Sequence, residues 1–389
     1  MHKLGFSKES LKMYIFLLLL TLAAYSGLQG WRTLFNNFAV EVANLNGFQI
    51  GIIQAVREIP GFLALLIIYL LLIFAEHRLA SYSIIILGIG IALTGYLPTF
   101  YGIILTTIIM SFGFHYFETL NQSLTLQYFS TSESPLVFAK LRSIASLTNI
   151  AIGVLLFIIA RYFSYKTIFL AIGLTIILLG LSTLFFDPTR KDLPVQRKKM
   201  IFRKKYWLFY TLTLFAGARR QIFVAFSVFL LVKKFHYSVV EISALFVLNN
   251  LINYFLNPLI GKAINKFGER KVLSLEYFSL IFIFLAYAYS NSKLVVGFMY
   301  VLDHIFFNFA IAIRTFFQKI ADPKDIAPSM AVGFTINHIA AVIFPVIGGI
   351  LWSISYKISF IMGAILSLIS LIFTQLIDKE INKFNASTK

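Results

Sequence analysis

Apolar runs of about 20 residues or more recur along the whole chain, separated by short polar stretches. They predict twelve helical spans, roughly 12–40, 48–75, 79–97, 100–127, 137–160, 166–186, 206–232, 239–262, 272–290, 294–318, 328–353 and 358–377. The alternating segments of about ten residues that a transmembrane barrel needs do not occur. One run is interrupted in an instructive way. The stretch FAGARRQIFVAF, 215–226, puts Arg219 and Arg220 side by side near the centre of span 7. An arginine at that depth costs roughly 2.5–3.5 kcal/mol on insertion scales, so each needs a partner or a wet surface. Neighbouring helix positions differ by about 100°, so the two cannot share one.

Composition supports an all-α membrane protein. The 389-residue chain is 59% hydrophobic and 13% charged, with a mean hydropathy of +0.84; a soluble domain carries about 25% charged residues. The net charge of +18 would suit nucleic acid, but its placement argues for orientation instead. With the N-terminus inside, the 34 Lys and Arg divide into 22 in inner segments, 6 in outer loops and 6 within spans. That is the positive-inside bias, with attraction to anionic lipid heads. Both termini are therefore expected in the cytoplasm, the protein in the cell inner membrane, and no nucleic acid among its partners. The basic N-terminus runs into a full span, so no cleavable signal peptide is expected. Cysteine is absent, which excludes disulfides and thiol chemistry.

The longest hydrophilic stretch, 187–205, is strongly basic and divides the chain into halves that repeat. At an offset of 192, Gln29 falls on Gln221, Ile50 on Ile242 and Arg78 on Arg270, while SYKTIF at 164–169 matches SYKISF at 355–360. The expected domains are thus a six-helix half over 1–186, a cytoplasmic linker over 187–205, and a second six-helix half with a short tail over 206–389. Strongly polar residues concentrate in spans 1, 4, 7 and 10, while spans 3, 6 and 12 have uncharged interiors. The first helix of each three-helix unit is therefore expected to line a cavity and the third to face lipid.

The segment GKAINKFGERKVL, 261–273, resembles the loop signature between spans 8 and 9 of the major facilitator superfamily. Gly261 would permit close helix approach, Gly268 a tight turn, and Lys266, Arg270 and Lys271 supply cytoplasmic charge. Asn265 stands where the family usually has an acid. The first-half counterpart, IFAEHRLAS, keeps only Glu76, His77 and Arg78. The resemblance covers the whole chain and implies two pseudo-symmetric six-helix halves, transport by alternating access, and a site between the halves near the midplane. The Gly-Pro-x-x-Gly-Gly motif of the family's drug–proton antiporters is missing from span 5, which reads NIAIGVLLFIIA; the similar FPVIGG, 344–349, lies in span 11, where Gly348 and Gly349 suit close packing.

Helical wheels then select the chemistry. Span 1 aligns Tyr25, Gln29, Arg32 and Asn36; span 4 aligns Ser111, His115, Glu118, Gln122 and Thr125. Arg220 shares a stripe with Thr213 and Ser227, Arg219 with Phe215, Ile222 and Phe226. Arg220 is thus expected to face the cavity and Arg219 to be a structural ion-pair member. Glu58 beside Arg57 reads equally as an ion pair or as a cavity element. Arginine pairs on spans 1 and 7 resemble the organic-phosphate and organic-anion branches of the superfamily, and the planar guanidinium grips carboxylate or phosphate bidentately. The substrate-binding set is Arg220, Arg32, Gln29, Arg57, Asn250, Asn308, Gln221 and Tyr25. A carboxylate one turn from a histidine can carry a coupling proton; Glu118 with His115 is the first such pair and Asp303 with His304 the second. The same residues with His338 are an alternative transition-metal set for a divalent-metal exporter, and abundant Phe (42) admits a lysophospholipid transporter. A non-transporting membrane sensor is the further alternative. HExxH and comparable motifs are missing, so neither an enzyme nor a cofactor is expected. The reading is a symporter or antiporter, expected to be monomeric among membrane lipids, that moves a small, anionic solute coupled to protons or another ion.

Overall fold

The computed structural model describes residues 8–388, and these contain helices and no strand. Among the described residues, twelve helices are long and apolar enough to cross a membrane. Spans 1 to 6 are Ser10–Glu41, Ile52–Leu70, Glu76–Thr94, Phe100–Tyr128, Ser134–Ile159 and Tyr165–Leu184. Spans 7 to 12 are Lys204–Lys233, Glu241–Phe267, Glu269–Tyr289, Lys293–Ile320, Pro323–Ile354 and Tyr356–Ala386.

The even-numbered spans from 2 to 10 start on a polar cap. The side chains of Asn46, Thr99, Ser164, Ser238 and Ser292 each accept a hydrogen bond from the backbone N–H three residues on. Each cap satisfies one of the donors that a helix start leaves open. Gly268, at φ 80°, lies between Phe267 and Glu269 and lets span 8 turn directly into span 9. This left-handed backbone is one that glycine adopts without strain.

Spans 2 and 10 are interrupted within their length, and span 12 breaks between Thr374 and Ile377. Span 2 stops at Val56, resumes at Ile59–Phe62 with Pro60 in its first turn, and passes through a 3-10 turn, Leu63–Leu66. Proline has no N–H and disfavours helix in the residue before it, so the break falls here. Span 10 is interrupted by a 3-10 turn at Asn308–Ala310.

The chain forms two compact units. The first takes the chain to Phe129, with Ile144–Met200 and Lys324–Phe334. The second takes Ser130–Ser143, Ile201–Pro323 and the chain from Thr335 onward. The opening turns of spans 5 and 11 are thus assigned to different units from the rest of those helices.

In the first unit, span 3 buries 61% of its most apolar window, while Ile86, Ile89 and Leu93 leave one apolar stripe exposed. Small residues explain this. A Cβ on Gly113 of span 4 would sit 2.3 Å from the Leu87 nitrogen, and one on Gly173 of span 6 would sit 2.5 Å from the Ala92 nitrogen. Spans 4 and 6 therefore close on span 3 from two sides. The linker packs in this unit too: Arg197 forms an ion pair with Asp325, and Gln196 accepts the Ala327 N–H at 3.0 Å.

In the second unit, Gly348 meets the Phe226 ring, but Gly349 has open space around it and serves no close approach. Span 7 is unbroken from Trp207 to Lys233. Gly217 supplies a contact rather than a kink, since a Cβ there would sit 2.6 Å from the Asn337 carbonyl oxygen.

Candidate functional site

The two arginines of span 7 lie in different surroundings. Arg219 is 3% exposed. Its Nη1 donates to Glu276 Oε1 of span 9 at 3.4 Å, its Nε donates to the Phe215 carbonyl at 3.2 Å, and its guanidinium lies 4.0 Å from the Tyr277 ring centroid. Glu276 is equally buried. The pairing of Glu276 with Arg219 joins residues 57 apart and is set by the packing of spans 7 and 9. Arg220 is exposed, with its guanidinium 5.0 Å from the Phe307 ring of span 10. Gln221 beside it is half-buried.

Around Phe307 the polar residues of spans 8 and 10 meet. Asn308 donates through Nδ2 to Asn253 Oδ1 and to the His304 carbonyl, each at 3.0 Å. That places Asn308 at the break in span 10, where an amide can serve a carbonyl of the turn before. Asn250 donates to the Phe246 carbonyl at 2.9 Å. The His304 ring packs edge-on to Phe223 at 5.0 Å and lies 4.8 Å from Tyr300. Asp303, next in sequence, is 4% exposed, and its carboxyl interacts electrostatically with Arg219 and Glu276. His338 is buried in span 11 of the same unit.

The first unit holds the remaining candidates. Arg32 is exposed on span 1, while Gln29 and Tyr25 are half-buried. Gln29 donates to Thr33 Oγ1 at 3.1 Å. The Tyr25 hydroxyl donates to Glu118 Oε1 at 3.2 Å, tying span 1 to span 4. His115, one turn before Glu118, is buried, with its ring near Phe114 at 5.6 Å and Phe334 at 5.8 Å. Arg57 and Glu58 form an ion pair at 3.0 Å at the break in span 2. There the Arg57 carbonyl accepts the Ser111 hydroxyl of span 4, a polar contact made possible where the helix is interrupted.

The loop signature is placed residue by residue. Gly261 approaches span 5: a Cβ would lie 2.7 Å from the Pro135 carbonyl oxygen. Asn265 donates to the Ser132 carbonyl at 2.6 Å. Lys266 lies over the Phe267 ring, Arg270 pairs with Asp378 at 2.7 Å, and Lys271 is exposed. Glu269, 2% exposed, takes an ion pair with Lys319 at 2.8 Å.

Comparison with known proteins accords with this architecture. The sequence profile of the Major Facilitator Superfamily matches residues 14–313 and 234–388. The human organic anion transporter MFSD10 has a similar fold, with a TM-score of 0.75 at 12% identity over 95% of this chain and 100% of that one. FucP in its outward conformation gives 0.67 at 14% identity, covering 94% and 99%. A variant of the E. coli fucose:proton symporter FucP gives 0.70 at 14% identity, covering 94% and 98%. No curated protein matches by sequence. The chain belongs to the Major Facilitator Superfamily. It is a multi-pass membrane protein of the transporter class.

Proposed function

We propose that this protein is a secondary active transporter that moves a small anionic solute by alternating access, coupled to protons. The observation that carries the reading is the exposure of Arg220 beside the buried Arg219. The charge of Arg219 is matched inside the second unit by Glu276. Arg220 stands exposed at the middle of an apolar span, with an aromatic ring near its guanidinium. A planar fork at that depth suits a carboxylate or phosphate. Gln221, Asn250 and Asn308 of the same unit supply neutral donors, and Arg32, Gln29, Tyr25 and Arg57 are the proposed contacts from the first unit. MFSD10 is an organic anion transporter, but at 12% identity fold alone is shared, so the reading rests on Arg220.

The halves 1–186 and 206–389, joined by 187–205, are proposed as the bodies that alternate. The distribution of Lys and Arg supports both termini in the cytoplasm and an inner-membrane location, and a monomer suffices because one chain supplies both halves. Glu118, held by Tyr25, with His115 is the proposed proton carrier on span 4.

The test is a thermal-shift screen of purified protein against small carboxylates, phosphate esters, divalent metals and lysophospholipids. A ligand that binds the native state raises the apparent melting temperature. Stabilisation by one class of anion, lost in Arg220→Ala, is expected. Stabilisation by metals or lysolipids alone would replace the anion reading.

A further inference from the structure

The second unit buries more negative than positive charge at one point. Arg219 of span 7, Glu276 of span 9 and Asp303 of span 10 are 3%, 3% and 4% exposed. The guanidinium is engaged on three sides, by Glu276 Oε1, the Phe215 carbonyl and the Tyr277 ring. Two carboxylate oxygens in the same group, Glu276 Oε2 and Asp303 Oδ2, are buried without a hydrogen-bond partner. Arg219 and Glu276 are the charged groups that act on Asp303, and Phe223, one turn on from Arg219, packs against Tyr300 and His304, which flank Asp303 in span 10. The other titratable groups facing these residues are Tyr277 and Tyr287 of span 9, Tyr300 and His304 of span 10, and, near Tyr287, Tyr237 before span 8. None is a second cation: the tyrosines are neutral near pH 7, and His304 sits between the Phe223 and Tyr300 rings with its Nδ1 buried and unpartnered. Arg220 belongs to the exposed face of span 7, over Phe307.

We propose that Arg219, Glu276 and Asp303 form a buried site for a single proton, carried by Asp303 while Glu276 holds Arg219. Two ionised carboxylates against one guanidinium would leave a net negative charge in a low-dielectric interior, which is strongly unfavourable. One proton removes it. The exchange balances simply: the Asp303 carboxyl O–H breaks, the proton passes to water, and the carboxylate that remains competes with Glu276 for Arg219. The three residues come from three spans, so the loss of one proton changes which helices the guanidinium ties together. As a coupling site the cluster rests on the transporter reading; as a proton site it does not.

Infrared spectroscopy of the purified full-length protein, with no solute present, tests the assignment. Of the six aspartates, Asp303, Asp325 and Asp378 lie within spans, and Asp325 and Asp378 each pair with an arginine of their own, Arg197 and Arg270. A carboxylic-acid C=O band at neutral pH that shifts when aspartate side chains carry carbon-13 is therefore expected in the unsubstituted protein. The band should vanish in Asp303→Asn. It should also vanish in Glu276→Gln, because Asp303 then has Arg219 to itself and ionises; a purely structural role would leave it. Absence of an aspartate-labelled band in the unsubstituted protein, or its survival in either variant, overturns the proposal. The labelled unsubstituted protein decides the matter if neither variant folds. Flux is not read, so a protein that transported no anion would leave the result standing.

Discussion

The side-chain amide of Asn265 donates to the backbone carbonyl of Ser132 at 2.6 Å, joining the last turn of span 8 to the turn that opens span 5. The family usually has an acid at this position. An ionised carboxylate cannot donate, so the amide makes a bond that the usual residue would not.

Asn265→Asp should therefore destabilise, although it restores the family's usual residue. The bond is exposed, so the loss should be of the order of one neutral hydrogen bond, about 0.5–1.5 kcal/mol. A lower melting temperature at neutral pH is expected, with the deficit shrinking in acid, where the introduced carboxyl is protonated and can donate again. Equal or greater stability at neutral pH would show that the contact contributes nothing.

Arg219→Ala should cost far more. It strands Glu276 in the interior, and removing one partner of a buried pair costs on the order of 3–5 kcal/mol. Yield and melting temperature should both fall. Arg219→Met combined with Glu276→Met should recover much of the loss, because a buried pair replaced by apolar side chains is often neutral. A double variant no better than the single one would place the damage elsewhere, in the Phe215 or Tyr277 contacts.

Arg220 should behave in the opposite way. It is exposed, so Arg220→Lys and Arg220→Ala should fold with near-normal melting temperatures. Arg220→Lys keeps the charge but loses the fork; with charge-assisted bonds worth about 1.5–3 kcal/mol each, the affinity for an anionic ligand should drop at least tenfold. Arg220→Ala should nearly abolish binding. Titration calorimetry with the anion found in the thermal-shift screen reads both, and unchanged affinity in the lysine variant would remove the bidentate contact.

Orientation can be read with single cysteines, since the chain has none of its own. Lys191, in the basic linker, and Asn291, between spans 9 and 10, are both exposed. An impermeant thiol reagent added to intact cells should label Asn291→Cys and spare Lys191→Cys. The reverse pattern would invert the topology.

Hydrophobic length and turn chemistry made the fold legible in the sequence. Each apolar run long enough to cross a bilayer became a span, because an unpaired backbone in lipid leaves helix as the available solution for such a run. The polar caps before spans 2, 4, 6, 8 and 10 and the glycine at 268 lie where local chemistry puts them. The wheel also required Arg219 and Arg220 to point apart. Three-dimensional packing decided what each one met. Glu276 and Asp303 lie far along the chain from Arg219, on helices whose rotation depends on their neighbours, so no local period could bring the three together. The wheel also assumes straight helices, whereas Pro60 breaks span 2 beside Arg57 and Glu58, and a 3-10 turn at Asn308–Ala310 interrupts span 10. Span 3 shows the same limit from the other side. An uncharged helix suits lipid and protein neighbours alike, and glycines on spans 4 and 6, which let backbones approach, decided which of its faces is packed and which stripe stays exposed.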